Sequence, residues 1–175
     1  LQHPNIVTLF DAGEDGGLPY LVFEYVEGKT LDQMVRSGAR PPIPQLVDIA
    51  IGVLRGMAFA HGKDVLHRDI KPANIMVTER GIPRIMDFGI ACHAAGEKLA
   101  DNALYGTPCY MAPEYIAAQD FIAASDIYAI GVLLYELLTG APPVGGPNVY
   151  EVLHKIANSE FEPPSARNAQ IDERL

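Results

Sequence analysis

Several things are scarce or missing in this sequence, and each narrows what the chain can be. Only two cysteines occur, Cys92 and Cys109. Two cysteines give neither a disulfide framework nor zinc-ligand spacing, so free thiols in a reducing compartment are expected. Basic residues are outnumbered, with 13 Lys and Arg against 22 Asp and Glu and a net charge of −9. That balance argues against a nucleic-acid surface, where basic patches supply affinity. No apolar run reads as long enough to span a bilayer, and no signal peptide is visible. Internal repeats and low-complexity segments are absent. Gly13, Gly16 and Gly17 do not make Gly-x-Gly-x-x-Gly, and no helix is expected after them, so no phosphate cradle is read there. Between Gly89 and Gly106 there is no serine or threonine, and Tyr105 is the only hydroxyl. The chain begins at Leu1 rather than at a methionine and is read as part of something longer.

What is present suits one domain with a sizeable core: 175 residues, 49% of them hydrophobic. Ile6 to Phe10 reads as a strand, Asp11 to Gly17 as a polar hairpin turn, and Leu18 to Val26 as a second strand ending near Gly28. Leu31 to Ser37 reads as a short helix capped by Thr30. Pro41, Pro42 and Pro44 interrupt it, and helix resumes over 45–63. In that second helix Leu46, Ile49, Ala50, Val53, Leu54, Met57, Ala58 and His61 repeat every three or four residues and should form its buried face. Two short strands, 75–78 and 84–86, follow around a turn at Gly81. The segment 87–114 has little periodicity, as functional or mobile loops do. Ser125 to Leu138 is almost wholly apolar and belongs mid-domain, with Gly140 ending it. Asn148 to Asn158 is a further helix, with Val149, Val152, Leu153 and Ile156 inward. Residues 161–172 read as Pro-rich and irregular, and Glu173 to Leu175 reads as the start of a last helix.

The densest chemistry lies in His67-Arg68-Asp69-Ile70-Lys71-Pro72-Ala73-Asn74. A carboxylate, a lysine and a carboxamide share one turn-rich loop, and Pro72 bars helix. Catalytic groups usually sit on such loops, held by a rigid scaffold. Asp87-Phe88-Gly89 and Ala112-Pro113-Glu114 follow in order. The three sets together match the protein-kinase signature. The chain therefore resembles the eukaryotic-type serine/threonine protein kinases, and its loop wording most resembles their bacterial members.

That resemblance implies an α+β, protein-kinase-like fold over residues 1–175. Residues 1–28 would be the last two strands of the N-lobe sheet and the hinge, and 29–175 a mostly helical C-lobe lacking its final helices. It implies ATP and Mg2+ as cofactors and protein substrates with serine or threonine acceptors. Asp69 would accept the substrate hydroxyl's proton, and Lys71 would approach the γ-phosphate. Asn74 and Asp87 would be the magnesium ligands, since magnesium prefers oxygen donors. Thr107 would line the hydroxyl pocket near Asp69 and Lys71. Glu24 and Val26 would meet the adenine edge through their backbone groups, with Phe23 as gatekeeper and Met76 as the floor. Asp126 would bind N–H groups of the catalytic loop. His67 and Phe88 would be packing residues in a spine that reaches Leu9. A cytoplasmic location is implied, or the cytoplasmic part of a membrane-anchored parent.

The sequence also departs from the family. Gly-rich loop, third-strand lysine and helix-C glutamate are missing from these residues, and so is the arginine that usually pairs with Glu114. The faces bearing Leu9, Phe10, Leu21 and Phe23 should lie open, so this stretch alone should bind Mg-ATP weakly. With no phosphate acceptor between Gly89 and Gly106 for Arg68 to read, Glu97 or Asp101 would be its fixed negative partner. A pseudokinase or scaffold acting by protein binding is the alternative, but it commonly loses Asp69, Asn74 or Asp87. A small-molecule kinase of the aminoglycoside type would lack the Lys71-Pro72 pair and the Ala-Pro-Glu segment.

Overall fold

A computed structural model describes residues 1–38, 41–88 and 107–172. The expectations for Gly89, Glu97, Asp101, Tyr105, Gly106 and a helix from Glu173 fall outside the described residues. Two small antiparallel ladders come first. Strands β1 (Leu9–Asp15) and β2 (Leu18–Phe23) form a hairpin. Its turn is confined to Gly16 and Gly17, both at positive φ (57° and 83°). A two-residue hairpin turn of this hand needs positive φ at both positions, which glycine adopts without strain. The expected turn over 11–17 is thus mostly strand.

The expected strand start at Ile6 is also corrected. Ile6 leaves the hairpin and makes a single parallel bridge to Ile85. The Ile85 N–H donates to Asn5 C=O, and the Val7 N–H to Ile85 C=O, both at 2.8 Å. Ile6 is thereby buried against the second ladder, made of β3 (Gly28–Thr30), β4 (Ile75–Thr78) and β5 (Pro83–Ile85) with β4 central. Strand β3 is not among the expected strands; it pairs with β4 through Lys29↔Val77.

Helix α1 (Leu31–Arg36) starts at Thr30 as expected. The Thr30 hydroxyl accepts the Gln33 N–H, and the Gln33 side chain accepts the Thr30 N–H. Reciprocal bonds of this kind satisfy two otherwise orphaned donors. Helix α2 (Ile43–His61) begins earlier than expected, because Pro44 sits in its first turn, where a missing N–H costs nothing. By length and composition α2 could cross a membrane. In this fold its Ile49, Val53 and Met57 are instead buried with Leu31, Ile75 and Ile85 in the main core. Leu54 and Ala58 are exposed rather than inward, and Gly52, Gly56 and Ala60 take the buried positions.

Helix α3 (Pro113–Ala118) is followed by α4 (Ala123–Thr139), which packs along α2 and sends Ile130 and Leu133 into the main core. Its outer face is open at Ile127, 46% exposed. Helix α5 (Val149–Ala157) buries Val152 and Ile156 beside Val144, while Val149 is exposed, against expectation. A short helix α6 (Pro164–Arg167) interrupts the segment read as irregular.

Gly52 sets how closely α2 approaches β5. A Cβ there would lie 2.4 Å from Pro83 Cγ. Gly52→Ala should destabilise the fold by about 1–3 kcal/mol through overpacking. Gly131→Ala on α4, where a Cβ meets nothing within 4 Å, should be neutral or stabilising by up to about 1 kcal/mol. Urea denaturation of both variants checks the contrast, and equal effects would refute it.

Candidate active site

The site is built outward from one buried carboxylate. Asp126 lies in the first turn of α4 and is 0% exposed. Its Oδ2 accepts the His67 N–H at 3.0 Å and His61 Nε2–H at 2.8 Å, and its Oδ1 accepts the Arg68 N–H at 2.9 Å. The anchoring role expected for Asp126 is what is found. His61 closes its helix face by this bond. Arg68 then turns left-handed (φ 69°), and the loop reverses into the site.

His67 is the second support. It is fully buried, and its Nε2 donates to Met86 C=O at 2.8 Å while Nδ1 accepts the Asp69 N–H at 3.2 Å. Those two bonds assign the neutral tautomer. Burial pushes the His67 pKa down, against the Met86 carbonyl and the carboxylates of Asp126, Asp69 and Asp87, which act to raise it. The Phe88 ring packs on His67 at 4.7 Å between centroids. Leu9, expected to extend this spine, is among the exposed large side chains.

On that base the loop gathers its polar groups. Lys71 Nζ lies 2.6 Å from Asp69 Oδ2. Asn74 Nδ2 donates to Asp69 C=O at 2.8 Å and to Asp69 Oδ2 at 2.9 Å. A short 3-10 turn, Pro72–Asn74, holds Asn74 in place. Because Asn74 Nδ2 is engaged by both Asp69 acceptors, the amide orientation is fixed and Oδ1 is the atom left to act as a ligand. The Met86 N–H donates to Asn74 C=O at 2.9 Å, which sets Asp87 next to Asn74 across the ladder. Asp87 is exposed and held at φ 58°. Left-handed non-glycine residues such as Arg68 and Asp87 are strained, and strain of this kind collects at functional sites.

Thr107 lines a shallow pocket with Arg68, Asp69, Tyr110, Met111 and Phe121. The Tyr110 hydroxyl donates to Glu136 on α4, and burial foremost pushes its pKa up, so it stays protonated. At the far end of the site, Met76 is half-buried on β4 opposite Arg84 on β5. Glu24 and Val26 follow β2, both half-buried.

Two partnerships escaped sequence reasoning. Glu114 accepts the Ser125 hydroxyl at 2.7 Å. Arg84 pairs with Glu24. A lone charge in the apolar run Ile82 to Met86 was the only available sign of it.

Asn74 Oδ1 and the Asp87 carboxylate are hard oxygen donors on adjacent backbone. Among the described residues no three His, Cys, Asp or Glu side chains form a metal cage. Two protein oxygens completed by phosphate and water are what magnesium accepts, so the donor set fits that ion. Asp69 can take a proton from a hydroxyl, and Lys71 can offset phosphate charge beside it.

The family described as the protein kinase domain matches residues 1–174. A probable serine/threonine-protein kinase of Streptomyces coelicolor is 38% identical over 98% of this chain. Serine/threonine-protein kinase PknB of Mycobacterium leprae is 38% identical over 98%, and that of Mycobacterium tuberculosis 37% over 100%. The chain spans 26% of the first of these relatives, 28% of the second and 29% of the third.

The neutral state of His67 has a pH signature. Unfolded, His67 protonates near 6.5, and folded only at lower pH. Between those values the unfolded chain binds the extra proton, so stability is present above 6.5 and is lost as pH falls below it. Urea denaturation from pH 7.5 to 5 should show this decline, and His67→Gln should flatten it by up to one proton's slope. Equal slopes in the two proteins would contradict the neutral assignment.

Proposed function

Because the chain belongs to the protein kinase domain family, we propose that it is the catalytic part of an enzyme transferring the γ-phosphoryl group of ATP to serine or threonine hydroxyls of proteins. The observation that carries the reading is the meeting of Asp69, Lys71 and Asn74 within 2.6–2.9 Å, with Asp87 set beside Asn74 by the Met86 bond. In this reading residues 1–28 are the end of the small lobe and the hinge, and 29–175 the helical lobe.

Each group has one task. Asp69 orients the acceptor hydroxyl and takes its proton as the new bond forms. Lys71 leaves its resting partner Asp69 for the γ-phosphate and offsets charge there. Asn74 and Asp87 hold magnesium, which neutralises the phosphate oxygens when bound. Thr107 lines the pocket that receives the hydroxyl. Backbone groups of Glu24 and Val26 meet the adenine edge, and Met76 lies beneath it. Acceptance of serine and threonine rather than tyrosine rests on Lys71 and Thr107, as the resemblance implies.

The exposed side chains of Leu9, Phe10 and Leu21 support weak nucleotide binding by residues 1–175 alone. The demand for ATP and the free thiol of Cys109 support a cytoplasmic setting, or the cytoplasmic part of a membrane-anchored protein.

In the whole protein that carries this chain, Asp69→Asn should lower kcat by about 10²–10⁴, the usual contribution of a positioned base. Asp87→Asn should weaken magnesium-dependent ATP binding. Transfer from radiolabelled ATP, followed by phosphoamino-acid analysis, should find phosphoserine or phosphothreonine. Retention of full activity by Asp69→Asn, or phosphotyrosine alone, would overturn the assignment.

A further inference from the structure

The two ladders share no strand. On the kinase reading, one ends at the residues that meet adenine and the other carries the metal ligands. ATP must reach both, so their spacing has to be held. Backbone bonds of Asn5 and Val7 to Ile85 join the chain ahead of β1 to β5, and Arg84 adds a link to the end of β2. It projects from β5, and its Nη2 donates to Ile6 C=O at 3.0 Å and to Glu24 Oε1. Glu24 is itself fixed. Its Oε2 accepts the Thr8 N–H at 2.9 Å, and its own N–H donates to Thr8 C=O at 2.9 Å. Arg84 therefore grips the chain on both sides of β1 and β2 from a position facing Met76 and three residues before Asp87.

A purely stabilising role fits this pair poorly. The two side chains are 18% and 22% exposed, and desolvation offsets much of the attraction of a half-buried pair. Arg84 Nε is also buried without an acceptor among the described residues, which costs stability. What the pair does supply is geometry. Burial alone would raise the Glu24 pKa, but the Thr8 bonds and the Arg84 guanidinium outweigh it and hold the carboxyl below its ordinary value, so the pair stays ionised at neutral pH.

We propose that Glu24 and Arg84 form a brace setting the distance between the adenine end and the metal end of the nucleotide site, with Arg84 a positioning residue for ATP. This rests on the kinase reading. Adenosine touches one end only, whereas Mg-ATP must span both, so a broken brace penalises the long ligand selectively.

The test is calorimetric titration of the whole protein with Mg-ATP and with adenosine. In Arg84→Met the Kd for Mg-ATP should rise about tenfold, as modest misplacement of a bound reactant does. The Kd for adenosine should change by less than about twofold. Arg84→Lys should recover part of the loss. The double variant Glu24→Gln with Arg84→Met should be no worse than either single, since both remove one interaction. Should Arg84→Met fail to fold, Arg84→Gln carries the same comparison, because it is shorter and uncharged and cannot reach Glu24 as the guanidinium does. Unchanged Mg-ATP affinity, equal weakening of both ligands, or additive losses would overturn the brace alone. A wild-type protein that binds no Mg-ATP would overturn the kinase reading and the brace with it.

Discussion

The site depends on one carboxylate that never meets a substrate. Asp126 is buried at the start of α4, where the helix dipole favours negative charge. It takes the successive backbone N–H groups of His67 and Arg68 and the ring of His61 from the end of α2. A buried carboxylate is costly unless hydrogen-bonded, and here three donors satisfy it. The requirement works in both directions. The loop cannot leave without stranding the charge, and α2 and α4 cannot separate without breaking the His61 bond. A proline-bearing segment is thus fixed to α2 and α4.

From that anchor the order passes outward through His67. One imidazole nitrogen is committed to the loop and the other to Met86, the residue before Asp87. The carboxylates of Asp69 and Asp87 are therefore placed by the same ring. The Asn74 amide repeats the device. Its side chain binds Asp69, and its carbonyl receives the Met86 N–H. Two side chains thus link two separate stretches of chain, and neither does the chemistry alone.

Much of this was legible in the sequence, because local rules and local contacts agreed. The Thr30 cap, the strand at Ile75, the apolar helix after Ser125 and the turn-rich loop bearing Asp69, Lys71 and Asn74 all follow from local pattern. Asp126 was read through the resemblance, since a helix-start aspartate by itself suggests only a cap. The misses share a cause: partners distant in sequence decided them. Ile6 left its hairpin because Asn5 and Val7 bond to Ile85, some eighty residues away. Strand β3 forms only because β4 offers it an edge. Leu54 and Ala58 turned outward because Pro83 and Ile85 pack against Gly52 and Gly56, rotating the buried stripe of α2. Ser125 reaches Glu114 through proximity that no periodicity encodes.

Arg68 and Asp87 both sit in a backbone region that glycine would occupy without cost. Backbone ease and side-chain identity therefore pull in opposite directions at these positions. A directed-evolution campaign scored on solubility or thermal endurance alone would drift toward glycine there and erase both side chains. Ancestral reconstruction that weighs thermostability should keep these positions out of its objective.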